Sequence, residues 1–166
     1  MGAAPKPHST LFFDKNFINS FVESVINTLG NMAQTTAKPG RPTIAKKTEF
    51  QCDILGIIDI HSGAMHGTLY LCFPRQTVFK IIEAMIDEIH TEMNEHVVDA
   101  VGEMTNMIYG QAKIRLNDRG FEFEMAIPKV ALPPYPPISP NGITALQLPF
   151  STQDDLTFYL EIVVKT

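Results

Sequence analysis

Glu103 and Asn106 lie three residues apart in the segment Glu95–Gln111, which places a carboxylate and a carboxamide one helical turn from each other. A carboxylate accepts hydrogen bonds and pairs with a cation. A carboxamide both donates and accepts, so it can hold a water molecule in a set direction. Neither group is a strong nucleophile, so the pair suits chemistry in which water attacks and the protein aligns. At about 100° per residue, Val97, Val101, Met104 and Ile108 form one helical stripe, and Asp99, Glu103, Asn106, Gly110 and Lys113 form a second almost opposite. Asn106, Gly102 and Gly110 are poor helix formers, glycine by about 1 kcal/mol against alanine. On an outward face the glycines leave flat surface that another backbone can approach. A plain solvated face has the same pattern, and Glu-x-x-Asn is too short to separate the two readings.

The elements that must carry this helix follow from periodicity. From Asp14, Phe17, Ile18, Phe21, Val22, Val25, Ile26, Leu29 and Met32 recur at helical spacing, with Asp14 as the N-cap and the turn signal Pro39-Gly40 as the far limit. Strand-like runs cover about 44–60, with a break near Asp53, and 67–73; Ser62-Gly63 marks a hairpin. Pro74 suits the first turn of a helix whose buried face is Val78, Ile81, Ile82, Met85, Ile86 and Ile89. The long helix is expected over about 92–115, followed by strands at 121–127, 143–150 and 156–164. The proline-rich stretch Pro133–Pro140 lacks the N–H groups of a central strand and reads as a stiff extended loop. Strands and helices come in blocks, which predicts an α+β fold, an antiparallel or mixed sheet packed against long α-helices. Residues 1–13 read as a flexible N-terminal tail and 14–166 as a single domain.

The composition narrows the function classes. The chain has 166 residues and a net charge of −5, with no basic run, a poor match to nucleic acid. No stretch approaches the roughly 20 apolar residues of a membrane span, and the first residues carry neither a signal-peptide core nor a myristoylation site. Cys52 and Cys72, the only cysteines, sit in apolar β-like runs and read as reduced, buried thiols of a cytoplasmic protein. His61 and His66, and His90 and His96, lack partners at zinc spacing and read as surface residues, so no metal site is assigned. Lys38, Arg41, Lys46 and Lys47 read as a solvated basic edge. No glycine-rich phosphate loop is present.

The framed segment Asp99-Ala-Val-Gly-Glu-Met-Thr-Asn-Met-Ile-Tyr-Gly-Gln-Ala-Lys113 resembles the signature helix of the CheX/CheC family of chemotaxis phosphatases. The opening helix, the hairpin with its Gly-x-Leu-x-Leu-x-Phe-Pro run, the helix after Pro74 and the closing β segment follow in the order expected of CheX. The resemblance thus covers most of the chain. CheC proteins carry two such helices and this chain has one, which makes it CheX-like. The resemblance implies hydrolysis of the aspartyl phosphate of a CheY-like response regulator, with Glu103 and Asn106 catalytic. Glu103 would pair with the regulator's phosphate-site lysine, and Asp99, Gly102, Gly110 and Lys113 would face the partner. It further implies no cofactor of the chain's own, Mg2+ held by the regulator, and a homodimer. The alternative within the same fold is a non-catalytic domain that binds a regulator, like the middle domains of flagellar switch proteins. The Pro133–Pro140 loop departs from the family pattern.

Overall fold

The computed structural model describes residues 11–138 and 141–165. In chain order the elements are α1 (Lys15–Ala33), β1 (Lys38–Pro39), β2 (Thr43–Lys47), β3 (Ile54–Ser62), β4 (Met65–Phe73), α2 (Arg75–Ile86), α3 (Glu95–Asn117), β5 (Lys129–Ala131), β6 (Ile143–Ser151) and β7 (Thr157–Lys165). The strands form one seven-stranded sheet in the order β1-β6-β7-β4-β3-β5, with β2 also paired to β6. Every pairing is antiparallel, which settles the sheet type that periodicity left open.

Period-two alternation sorts the strands onto two faces. Ile54, Ile58 and Ile60 of β3, Leu69 and Leu71 of β4, Leu160 and Ile162 of β7, and Leu146 and Leu148 of β6 join the main core with the buried faces of the helices. The opposite face carries Tyr70, Cys72, Gln147, Tyr159 and Glu161, which are register neighbours of one another. Gly63, at φ 60°, turns the tight β3–β4 hairpin that Ser62-Gly63 predicts. Asp14 caps α1 as expected, its Oδ1 accepting from the N–H groups of Asn16 at 2.9 Å and Phe17 at 3.2 Å.

Three expectations need correction and one needs refinement. Leu11 and Phe12 are 2% exposed and part of the core, so the last residues assigned to the tail belong to the domain; residues 1–10 lie outside the described residues. The break expected near Asp53 within 44–60 is present but longer, the irregular stretch 48–53 between β2 and β3. Ile86 and Ile89 are 45% and 78% exposed, because α2 ends at Ile86 and the left-handed Asp87 turns the chain away from the core. Segment 121–127 is not a strand: it makes one bridge, Ser62–Phe123, and ladder pairing resumes only at β5. Asn117 takes both backbone groups of Phe123, accepting from its N–H at 2.8 Å and donating to its carbonyl at 3.1 Å, while the Glu124 N–H donates to the His61 carbonyl of β3 at 3.0 Å.

One contact sets how close α3 sits to the sheet. A Cβ built on Gly56 of β3 would stand 2.0 Å from Oγ1 of Thr105, whose hydroxyl donates to the Val101 carbonyl at 2.7 Å. Gly56 is therefore glycine because a helix hydroxyl occupies the space of its side chain. Gly56→Ala is expected to cost about 1–3 kcal/mol in a urea unfolding titration, as overpacking does. Adding Thr105→Ala should recover most of that loss. A double variant no more stable than Gly56→Ala would show that Thr105 is not what the glycine accommodates.

Candidate functional site on helix α3

Helix α3 starts at Asn94, whose side-chain oxygen accepts from the Val97 N–H at 3.2 Å. Glu95 in its first turn and Arg115 in its last complement the helix dipole. Val97, Val101, Met104 and Ile108 are wholly buried against the sheet and the other helices, as the stripe analysis requires. Helix α1 lies along α3, joined to it by a hydrogen bond from Gln111 Nε2 to Thr28 Oγ1 at 3.0 Å and an exposed Arg115–Glu23 ion pair.

The opposite stripe is open. Asp99, Glu103 and Asn106 are exposed, and Lys113 and Gly110 are half-exposed. A Cβ on Gly110 would meet nothing within 4 Å, so no part of this chain requires a glycine there. Glu103 and Asn106 make no hydrogen bond or ion pair among the described residues, and their polar atoms face solvent one turn apart. Gly102 is also half-exposed. Its position faces the chain's own edge strand, where a Cβ would touch Val130 Cγ2 at 3.4 Å.

That neighbouring segment is a part of the site that sequence periodicity missed. Running antiparallel to α3, it is pinned by Asn117 to Phe123, by the Tyr109 hydroxyl donating to the Glu124 carbonyl, and by Val130 against Gly102. Between these anchors Met125 and Ile127 are 87% and 85% exposed, an apolar rim beside the polar stripe. The alternation Phe121, Phe123, Met125, Ile127 suggested a strand; only the first two side chains turn out to face inward. Burial, with a smaller contribution from the Glu124 charge, pushes the Tyr109 hydroxyl up to about 12, so it remains a donor across the neutral range.

A carboxylate and a carboxamide on a convex, unhooded helix face leave a small substrate in bulk water. Flat space at Gly110 and an apolar rim suit a macromolecule instead. Fold and site together define an α+β domain that works on the surface of another protein. The chain belongs to the family described as chemotaxis phosphatase CheX, whose sequence profile matches residues 54–151. The CheY-P phosphatase CheX of Thermotoga maritima is 26% identical over 154 residues, covering 92% of this chain and 98% of that protein. The crystal structure of a CheC-like superfamily protein from Shewanella sp. PV-4 matches with a TM-score of 0.81 at 34% identity, covering 92% of this chain and 99% of that one. The CheX-CheY-BeF3-Mg2+ complex from Borrelia burgdorferi shares the fold, with a TM-score of 0.73 at 19% identity over 90% of this chain and 98% of that one. Among the described residues no helix is long and apolar enough to cross a membrane.

Proposed function

We propose that this protein hydrolyses the aspartyl phosphate of a CheY-like response regulator in the cytoplasm, using Glu103 and Asn106. The observation that carries the reading is the free, solvent-facing pair on α3 in a chain of the CheX family. An acyl phosphate already has a carboxylate leaving group, so the phosphatase needs no nucleophile of its own. Asn106 would hold a water in line with the phosphorus; water attacks, the bond from phosphorus to the aspartyl oxygen breaks, and inorganic phosphate and a free carboxylate result. A water-positioning glutamine does comparable work in GTPases. Glu103 would receive the regulator's phosphate-site lysine in a charge-assisted bond and so orient the docked helix. Mg2+ belongs to the regulator in this proposal, and the working form is a homodimer. Asp99, Gly110 and Lys113 lie on the partner-facing stripe, with Met125 and Ile127 at its border.

The direct test is release of phosphate from the acyl-phosphorylated regulator of the same organism. Acceleration over the regulator's own decay supports the reading. Binding without acceleration would assign the chain instead as a docking module of the same fold. Glu103→Ala is expected to lower both turnover and affinity for the regulator, the latter measured by titration calorimetry. Its unfolding free energy should stay within about ±0.5 kcal/mol of wild type, because the side chain is exposed and unpaired. Unchanged affinity would remove the lysine pairing from the mechanism.

A further inference from the structure

The tip of the β3–β4 hairpin carries two imidazoles that have no place in the phosphatase reading. His61 and His66, read from sequence as surface residues, stand directly opposite each other in the register. The backbone explains how close their side chains come. The His61 carbonyl accepts from the Glu124 N–H, on the side away from β4. A residue in an antiparallel ladder turns both backbone groups to the same neighbour, so His61 and His66 form a non-hydrogen-bonded pair, the kind that brings opposite side chains nearest. The ring centroids are 4.6 Å apart with the planes at 82°, and the two Nδ1 atoms face each other at 2.5 Å.

At that distance the two Nδ1 atoms share a single proton, one ring donating and the other accepting. Solvent reaches both rings: His66 is exposed and His61 half-exposed. The adjoining residues Ser62, Met65 and Phe123 are buried, which leaves Glu124, His61 and His66 as one row on the outer face of three neighbouring chain segments. Glu124 is exposed, and so is Asp59, two residues before His61 on the same strand face. These two carboxylates outnumber the one cationic residue in register with the pair, Lys165 opposite His66. The balance favours a positively charged ligand.

We propose that His61 and His66 bind one divalent transition-metal ion, Zn2+ or a close relative, between their Nδ1 atoms. Imidazole nitrogen suits Zn2+, Cu2+ and Ni2+, whereas Mg2+ and Ca2+ prefer oxygen ligands. The ion takes both Nδ1 lone pairs, and the shared proton moves to Nε2 of the ring that held it. Two nitrogens on a tetrahedral zinc stand about 3.3 Å apart. The rings must therefore part by less than about 1 Å from their present 2.5 Å, a small rotation for side chains that solvent reaches. Among the described residues no three His, Cys, Asp or Glu side chains converge, so water completes the coordination and the site stays open. The hairpin ladder already holds the two ligands together, which keeps the ordering cost of chelation low. The Tyr109 hydroxyl of α3 holds the Glu124 carbonyl, so the ion would sit at the foot of the segment that carries Met125 and Ile127.

The test is titration calorimetry of the full chain, freed of metal, with ZnCl2 and with MgCl2 at neutral pH. Wild type is expected to bind Zn2+ saturably and to give no saturable heat with Mg2+. His61→Ala and His66→Ala should each weaken Zn2+ by about tenfold or more, because a single imidazole loses the gain of holding two ligands at once. His90→Ala, at the other histidine pair, whose rings are 6.2 Å apart, should bind like wild type. Melting in metal-free buffer checks that the variants fold; should His61→Ala fail, His66→Ala, at the more exposed position, decides alone. The proposal is overturned if Zn2+ shows no saturable binding, if the folded hairpin variants bind it like wild type, if Mg2+ binds as tightly, or if His90→Ala abolishes the binding.

Discussion

Asn106→Ala is expected to give a folded protein that still binds the phosphorylated regulator but hydrolyses it at least about a hundredfold more slowly. Loss of a group that orients the attacking water removes alignment, which is worth orders of magnitude in rate, without removing ground-state contacts. The structure adds the control. Asn106 is exposed and unpaired on a helix, so alanine, the better helix former, should leave the melting temperature unchanged or slightly raised. Single-turnover phosphate release separates the rate from the binding constant. Retained turnover in the folded variant would take Asn106 out of the mechanism and leave Glu103 and the surrounding surface as a docking site alone.

Gly110→Leu should separate stability from activity in the opposite sense. A Cβ at position 110 meets open space, and leucine is a better helix former than glycine by up to about 1 kcal/mol, so the variant should melt no lower than wild type. The regulator must nevertheless lie flat against the stripe for Asn106 to reach its phosphorus. A leucine there holds the partner's backbone away, and a displacement of about 1 Å can cost on the order of a hundredfold in rate. The expected result is a stable protein that has lost most of its activity. Full activity in Gly110→Leu would mean that the regulator does not dock over this part of α3, and the stripe would have to be redrawn around Asp99 and Glu103.

Asp99 and Lys113 lie at the two ends of the same stripe, and both ends are accessible. Met125 and Ile127 extend the accessible surface sideways on a segment with little regular pairing of its own. The polar stripe alone therefore understates the face available to a partner. The rim comes from residues twelve or more positions beyond Lys113, the last residue of the stripe, and is brought beside α3 by Asn117, Tyr109 and Val130.

The sequence alone determined the features that depend on local repetition. A 3.6-residue period marks which side of α3 is buried, because residues a turn apart must share a face whatever lies opposite. Glu103 and Asn106 could thus be placed on the outer side before any fold was known. The same local logic placed the Asp14 cap, the hairpin turn and the proline block, since each rests on neighbouring residues. Tertiary structure decided everything that depends on which distant groups compete for the same backbone or the same space. Phe121–Ile127 alternates like a strand, but Asn117 takes both backbone groups of Phe123 and a single bridge to Ser62 is all that joins the segment to β3 before β5. Gly56 resembles any strand glycine until Thr105, forty-nine positions later, occupies the place of its side chain. Lys47 reads as a surface charge and Glu161 as an outward residue of an alternating strand. Only the register that sets Gln147 opposite Glu161, and the stretch after β2 that folds over them, buries the pair. Periodicity reports that a residue faces one side of its own element; the identity of what covers that side is a long-range property, and it is this cover that buries the Glu161 carboxylate.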